Sequence, residues 1–152
     1  MAILQAEDAI SGREGVARAE INGEIIELLE LSNITATVEK QKTDFKAMGT
    51  RNTQNKTTGW TGKGSANVRY VSSRWAKMLE EYVKTGKDTY FTIIITNEDP
   101  GSKTGKQVIQ LLGCNLDSTD IAKLAIDSEI LDHDINFTFN DFNILQEFNS
   151  LT

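Results

Sequence analysis

The sequence has one histidine, His133, and it stands between Asp132 and Asp134. It is the first place to look for acid–base or nucleophilic chemistry. Neighbours in an extended strand point to opposite faces, so His133 shares a side with neither carboxylate. Without a second histidine the usual zinc donor sets are out of reach. A Ser/His/Asp or Cys/His arrangement would rest on His133 alone, and nothing local supports one. His133 therefore reads as a structural or surface residue. Cys114 follows Gly113 and is the only cysteine. It reads as a small packing hydrophobe, excludes a disulfide framework and fits a reducing compartment.

Other residue types suggest chemistry without the required spacing. The carboxylates Asp117, Asp120, Asp127, Glu129, Asp132, Asp134 and Asp141 do not follow the calcium-loop pattern and lack its central glycine. They read as solvated or channel-facing. The stretch GWTGKGS (59–65) resembles a phosphate loop only superficially, because GxxxxGK[ST] is absent and no helix follows directly. Trp60, Tyr70, Trp75 and Tyr82 lie near basic residues, as a base-stacking platform would require. Trp75 and Tyr82, however, belong to a helix stripe. No catalytic, cofactor or metal site is expected, and the chain is not expected to be an enzyme.

The elements that would carry these residues are mostly strands. Val16, Arg18, Glu20 and Ile21 lead into Asn22-Gly23, the favoured pair for a two-residue type I′ turn, and residues 24–31 return. Ile34, Ala36 and Val38 alternate with polar residues, so strand character continues past Ser32-Asn33 through a bulge. Over residues 40–58 the pattern disappears into Lys, Thr, Asn and Gln, which reads as a long polar loop. Residues 66–70 resume alternation, after glycines of the kind that mark close backbone approach. Trp75, Met78, Leu79, Tyr82 and Val83 form the stripe of a helix over 73–84, capped by Ser72 or Ser73 and ended by Gly86. Residues 90–96 and 107–112 read as a hairpin turning through Asp99-Pro100-Gly101. Residues 119–124 fit either a helix or a strand, and 135–139 alternate cleanly. The tail from Phe142 to Leu151 has helical spacing at Leu145, Phe148 and Leu151. The sum is an antiparallel β-sandwich or barrel with one packed helix.

Length and composition agree with one domain over 1–152, whose first fifteen residues read as a flexible arm. The hydrophobic fraction, 39%, is low, as if apolar surface were left for partners. No apolar run approaches the ~18 residues of a membrane span. The opening MAILQAEDAISGREG lacks the pattern of a secretory signal, and none is expected. The net charge of −6 is unevenly spread. Residues 1–36 carry two basic and seven acidic side chains, 37–106 thirteen and seven, and 107–152 one and eight. An acidic total argues against a dedicated DNA binder. A basic middle between acidic ends suits pairing with another copy.

Five stretches taken in order carry a family resemblance. They are ARAEINGEIIEL (17–28), ATVEKQKTDFKAMGTRNTQNKTTGWTGKGS (36–65), EYVKTGKDTYF (81–91), TNEDP (96–100) and INFTFNDF (135–142). Together they resemble the tube proteins of contractile phage tails and defective-prophage particles, with similar tubes in R-type bacteriocins. The resemblance spans roughly Ser11 to Asn149 and rests on order and spacing.

It implies a mainly β subunit with a flanking helix, assembling as hexameric rings that stack into a hollow tube inside a sheath. Baseplate and tail-terminator proteins would meet the tube at its ends, and assembly would take place in the bacterial cytoplasm. DNA would be passing cargo only, and an acidic lumen would avoid trapping it. By position and composition, residues 40–58 would be the ring-to-ring attachment loop. Lys42, Phe45, Lys46, Met48, Arg51 and Lys56 are the candidate contact residues. The alternative from the residues alone is a monomeric β-barrel that binds a ligand or nucleic acid.

Overall fold

The computed structural model describes residues 5–6, 15–28, 30–127 and 129–150. The expected arm over 1–15 lies outside the described residues, apart from 5–6 and Gly15, which opens the first strand. Eight strands and one helix follow in order: β1 (Gly15–Ile21), β2 (Glu24–Glu27), β3 (Leu31–Lys46), β4 (Thr53–Arg69), α1 (Arg74–Thr85), β5 (Tyr90–Glu98), β6 (Lys106–Thr119), β7 (Asp132–Phe139) and β8 (Asp141–Gln146). The strands form one open sheet in the order β2-β1-β5-β6-β7-β4-β3, with β8 also on β6. Every pairing is antiparallel. The mainly β architecture with a single helix is as the sequence implied.

Local chemistry sets the turns. Asn22 and Gly23 both have positive φ, 52° and 80°, which a type I′ turn requires of its central pair. The β3–β4 register shifts between Leu31 and Asn33, the bulge expected there. It lets Leu31 and Ile34 both face inward. α1 begins one residue later than expected, and Arg74 N–H donates to Ser72 Oγ at 3.2 Å. Gly86 closes the helix in the left-handed region at φ 76°, its N–H bonded to Tyr82 O at 2.8 Å. A residue with a Cβ reaches that conformation only with strain.

β6 changes partner halfway along. Its Val108–Leu112 stretch pairs with β8, and Asn115–Thr119 pairs with β7. Asn140 separates those two strands, and its N–H donates to Leu112 O at 2.9 Å. Gly113 sits at the switch with φ 64°, where an added Cβ would lie 2.7 Å from Asn140 Nδ2.

The core shows that the sheet curls. Ala17, Ala19 and Leu28 from one end of the strand order share a cluster with Val68, Ile135, Phe137 and Phe139 near the other. α1 delivers Trp75 into that cluster beside Phe91, ring centroids 5.9 Å apart. Met78 and Leu79 are half-buried, and the stripe ends in solvent at Tyr82 and Val83.

Two expectations are corrected. Residues 40–58 are not a loop: 40–46 and 53–58 belong to β3 and β4, and only 47–52 turn. Both faces of this stretch meet solvent, so the apolar alternation that reveals a half-buried strand is missing. Leu151 lies outside the described residues, and the described part of the tail, up to residue 150, is not a helix either, because 141–146 form β8. Its backbone groups find partners on β6, and that pairing outweighs the weak helical spacing.

Candidate functional site

β3 and β4 pair over nearly their whole lengths, but β4 meets β7 only from Gly62 to Arg69. Beyond Gly62 the two strands continue as an arm whose β4 side spans residues 53–61. At about 3.3 Å per residue it is roughly 30 Å long. The arm is rich in threonine, whose β-branching favours extended backbone without apolar support.

A second register shift, between Gln41 and Lys42, sits near its root. Side chains brace it: Gln41 Nε2 donates to Thr61 Oγ1 at 2.9 Å, and Thr58 Oγ1 donates to Gln41 O at 3.2 Å. Three aromatic rings fix the same region. Trp60 lies 6.3 Å from both Phe139 and Phe142, which are 6.4 Å from each other.

All six candidate contact residues fall on this arm. Lys42 and Lys46 share one face of β3, opposite Thr57 and Thr53. Phe45 and Lys56 lie on the other face, opposite Gln54 and Thr43. Met48 and Arg51 are in the tip, where Gly49 has φ 89°. All six are exposed, and Met48 is fully so.

The arm's free edge continues a feature of the whole sheet. Among the described residues β3 pairs only with β4, β2 only with β1, and β8 only with β6. Unpaired edges of this kind template pairing with another chain. The ends of the curled sheet also leave a cleft of about 560 Å3 between β1, β3 and β5, lined by Ala17, Leu28, Leu31, Ile34 and Ile95 among others.

The residues considered for chemistry are dispersed. His133 is buried, Nδ1 lying 3.0 Å from Thr119 Oγ1, with Tyr70 edge-on at 5.2 Å. Asp134 accepts from Asn67 Nδ2 at 3.0 Å, and Asp141 accepts from the Phe142 N–H at 2.8 Å. No group of three or more His, Cys, Asp or Glu residues is placed to hold a metal among the described residues. GWTGKGS runs inside β4 and makes no turn. Trp60, Tyr70 and Trp75 stack on three different partners, so they build no shared platform.

One surface escaped the sequence reading. Residues 119–124 were expected as a helix or a strand and the carboxylates beyond them as solvated, yet 120–124 are neither helix nor strand, and Ile121, Leu124, Ile126 and Ile130 all stand in solvent. The available signal was aliphatic residues recurring among acids without helix or strand period.

A family model described as phage tail tube protein matches residues 2–146. The chain is 40% identical over 141 residues to the phage-like element PBSX protein XkdM of Bacillus subtilis strain 168, covering 93% of each chain. Its fold is similar to a chain of the sheath/tube terminator structure of an extracellular contractile injection system. There the TM-score is 0.69 at 8% identity, over 93% of this chain and all of that one. It is also similar to a chain in the tail of a gene transfer agent particle refined with C6 symmetry. That match has a TM-score of 0.61 at 11% identity, over 91% of this chain and all of that one. The chain belongs to the phage tail tube protein family.

Proposed function

We propose that six copies of this chain close into a ring, and that rings stack head to tail into the hollow inner tube of a contractile phage tail or tail-like particle. The observation that carries the reading is the arm. An extension with solvent on both faces contributes little to the stability of its own subunit, so its length and charge make sense as contact with another copy. Lys42, Phe45, Lys46, Met48, Arg51 and Lys56 are its contact residues. The open edges of β2, β3 and β8 support lateral closure, which converts an aggregation hazard into a ring. The sixfold symmetry of the gene transfer agent tail supports the ring number.

Sheath, baseplate and terminator proteins are the proposed partners. The fold is similar to chains in sheath–tube, baseplate and terminator assemblies of contractile injection systems. The role is structural rather than catalytic: His133 and Asp134 serve the fold through their hydrogen bonds, and Cys114 through packing.

Negative-stain microscopy of the purified chain, dilute and concentrated, tests this reading. Rings or tubes roughly 10 nm across or less are expected from six domains of this size. A species that stays monomeric at high concentration, whatever the salt, overturns it.

A further inference from the structure

The register places two unlike surfaces at opposite ends of the sheet. β4 starts at the arm tip with Thr53 and ends at Arg69, which is paired with Asp132 at the start of β7. Thr119 at the end of β6 is paired with Ile135. The described residues between β6 and β7, 120–127 and 129–131, therefore lie at the pole farthest from the arm tip.

That pole presents apolar side chains without cover. Leu124 and Ile126 are 95% and 98% exposed, and Ile121 and Ile130 are 71% and 63% exposed. Aliphatic side chains grouped in this way on a surface mark a contact site. The backbone beneath them is tied down. Lys123 Nζ donates to Asp132 O at 2.5 Å and lies 3.8 Å from the Asp132 carboxylate, and Tyr70 OH donates to Ile121 O at 3.3 Å.

Charge then selects the occupant. Residues 117–132 carry Asp117, Asp120, Asp127, Glu129 and Asp132 against Lys123, with Arg69 the basic residue paired across from Asp132. The arm is the reverse: Lys40, Lys42, Lys46, Arg51 and Lys56 against Glu39 and Asp44. The arm also carries exposed apolar groups, Phe45 and Met48. Each surface thus has an apolar part and a charged surround, and the charges are opposite in sign.

We propose that residues 120–127 with 129–131 are the receptor for the arm of a second copy, with Met48 and Phe45 meeting Leu124 and Ile126 inside a rim of opposite charges. This rests on the stacked-ring reading and names the other half of its contact. Because the two surfaces lie at opposite poles of one subunit, the contact is heterologous: it repeats along one direction and extends a filament instead of closing a dimer. The same polarity gives identical subunits a top and a bottom.

Two sets of variants test it, with assembly followed by sedimentation and negative-stain microscopy. Leu124→Asp/Ile126→Asp changes side chains that pack against nothing, so rings with an unchanged melting temperature and loss of tubes are expected. Asp127→Lys/Glu129→Lys should also give unstacked rings, as should Lys42→Glu/Lys46→Glu. Combining the two reversals in one chain should restore tubes. Normal tubes from Leu124→Asp/Ile126→Asp overturn this inference alone, as do normal tubes that no longer bind a sheath protein, which would assign the pole to the sheath. If the unaltered chain forms neither rings nor tubes, the stacked-ring reading fails and this inference fails with it.

Discussion

The ring of Phe139 on β7 fills the space directly beside Gly62 on β4, where an added Cβ would lie 2.5 Å from its Cε2. Phe137 covers Gly64 in the same way, two residues along both strands. Both rings are buried, so neither has room to retreat. Gly64→Ala should therefore cost about 1–3 kcal/mol through overpacking. At this chain length the melting temperature falls roughly 2–4 °C per kcal/mol. Thermal denaturation of unassembled protein at fixed concentration measures it, since assembly would shift the midpoint by mass action. An unchanged midpoint would show that the strands separate freely at this point.

Glu30 joins two elements. Its backbone O accepts from Arg69 N–H at 2.8 Å, and its carboxylate accepts from Arg74 Nη1, also at 2.8 Å. The two side chains are 8% and 27% exposed, so Arg74→Ala leaves a carboxylate largely out of water without its partner. The expected cost is about 1–3 kcal/mol. The Glu81–Lys87 pair is open to solvent and longer, at 3.6 Å, and Lys87→Ala should change stability by less than about 0.5 kcal/mol. Urea titration of both variants checks the contrast. Equal costs would contradict the role given to burial.

Burial pushes the Cys114 thiol up from 9.0 to about 12, although a backbone hydrogen bond involving Ile93 pulls the other way. The folded value lies above the unfolded one. Its contribution to stability is therefore fully present below about pH 9 and is lost as pH rises towards about 12. At pH 8 the native thiol should resist a disulfide reagent, and it should react only as fast as the chain opens. Rapid stoichiometric labelling of protein that keeps its circular dichroism would refute the buried placement.

What the sequence revealed followed from whether the deciding forces were local. Asn22-Gly23, the shift at Ser32 and the left-handed Gly86 are choices of single residues, and each was readable. So was β7, whose Ile135, Phe137 and Phe139 alternate because one face is core and the other solvent. The arm and β8 were not readable as strands, since both faces of each meet water and leave no period. The candidate residues from Lys42 to Lys56 were chosen by position and composition, and a loop was expected where a braced hairpin stands. The opposite pole was hidden because only the strand register shows that residues 120–127 and 129–131 lie farthest from the arm tip.

The arm offers a clean separation of folding from assembly. Lys42, Lys46, Arg51 and Lys56 are exposed, and no ion pair among the described residues involves them. Neutralising all four to alanine should leave the melting curve of the unassembled subunit within about 0.5 kcal/mol of the parent. Stacking should respond differently, because charges meeting across an exposed contact are screened. The Debye length falls from about 8 Å at 0.15 M salt to about 3 Å at 1 M. Tubes of the parent should shorten as salt rises, whereas tubes of the fourfold variant should be short at every salt concentration. Static light scattering across a salt series reads both. Parent tubes indifferent to salt, or variant tubes of full length, would remove the electrostatic part of the contact and leave Phe45 and Met48 to carry it.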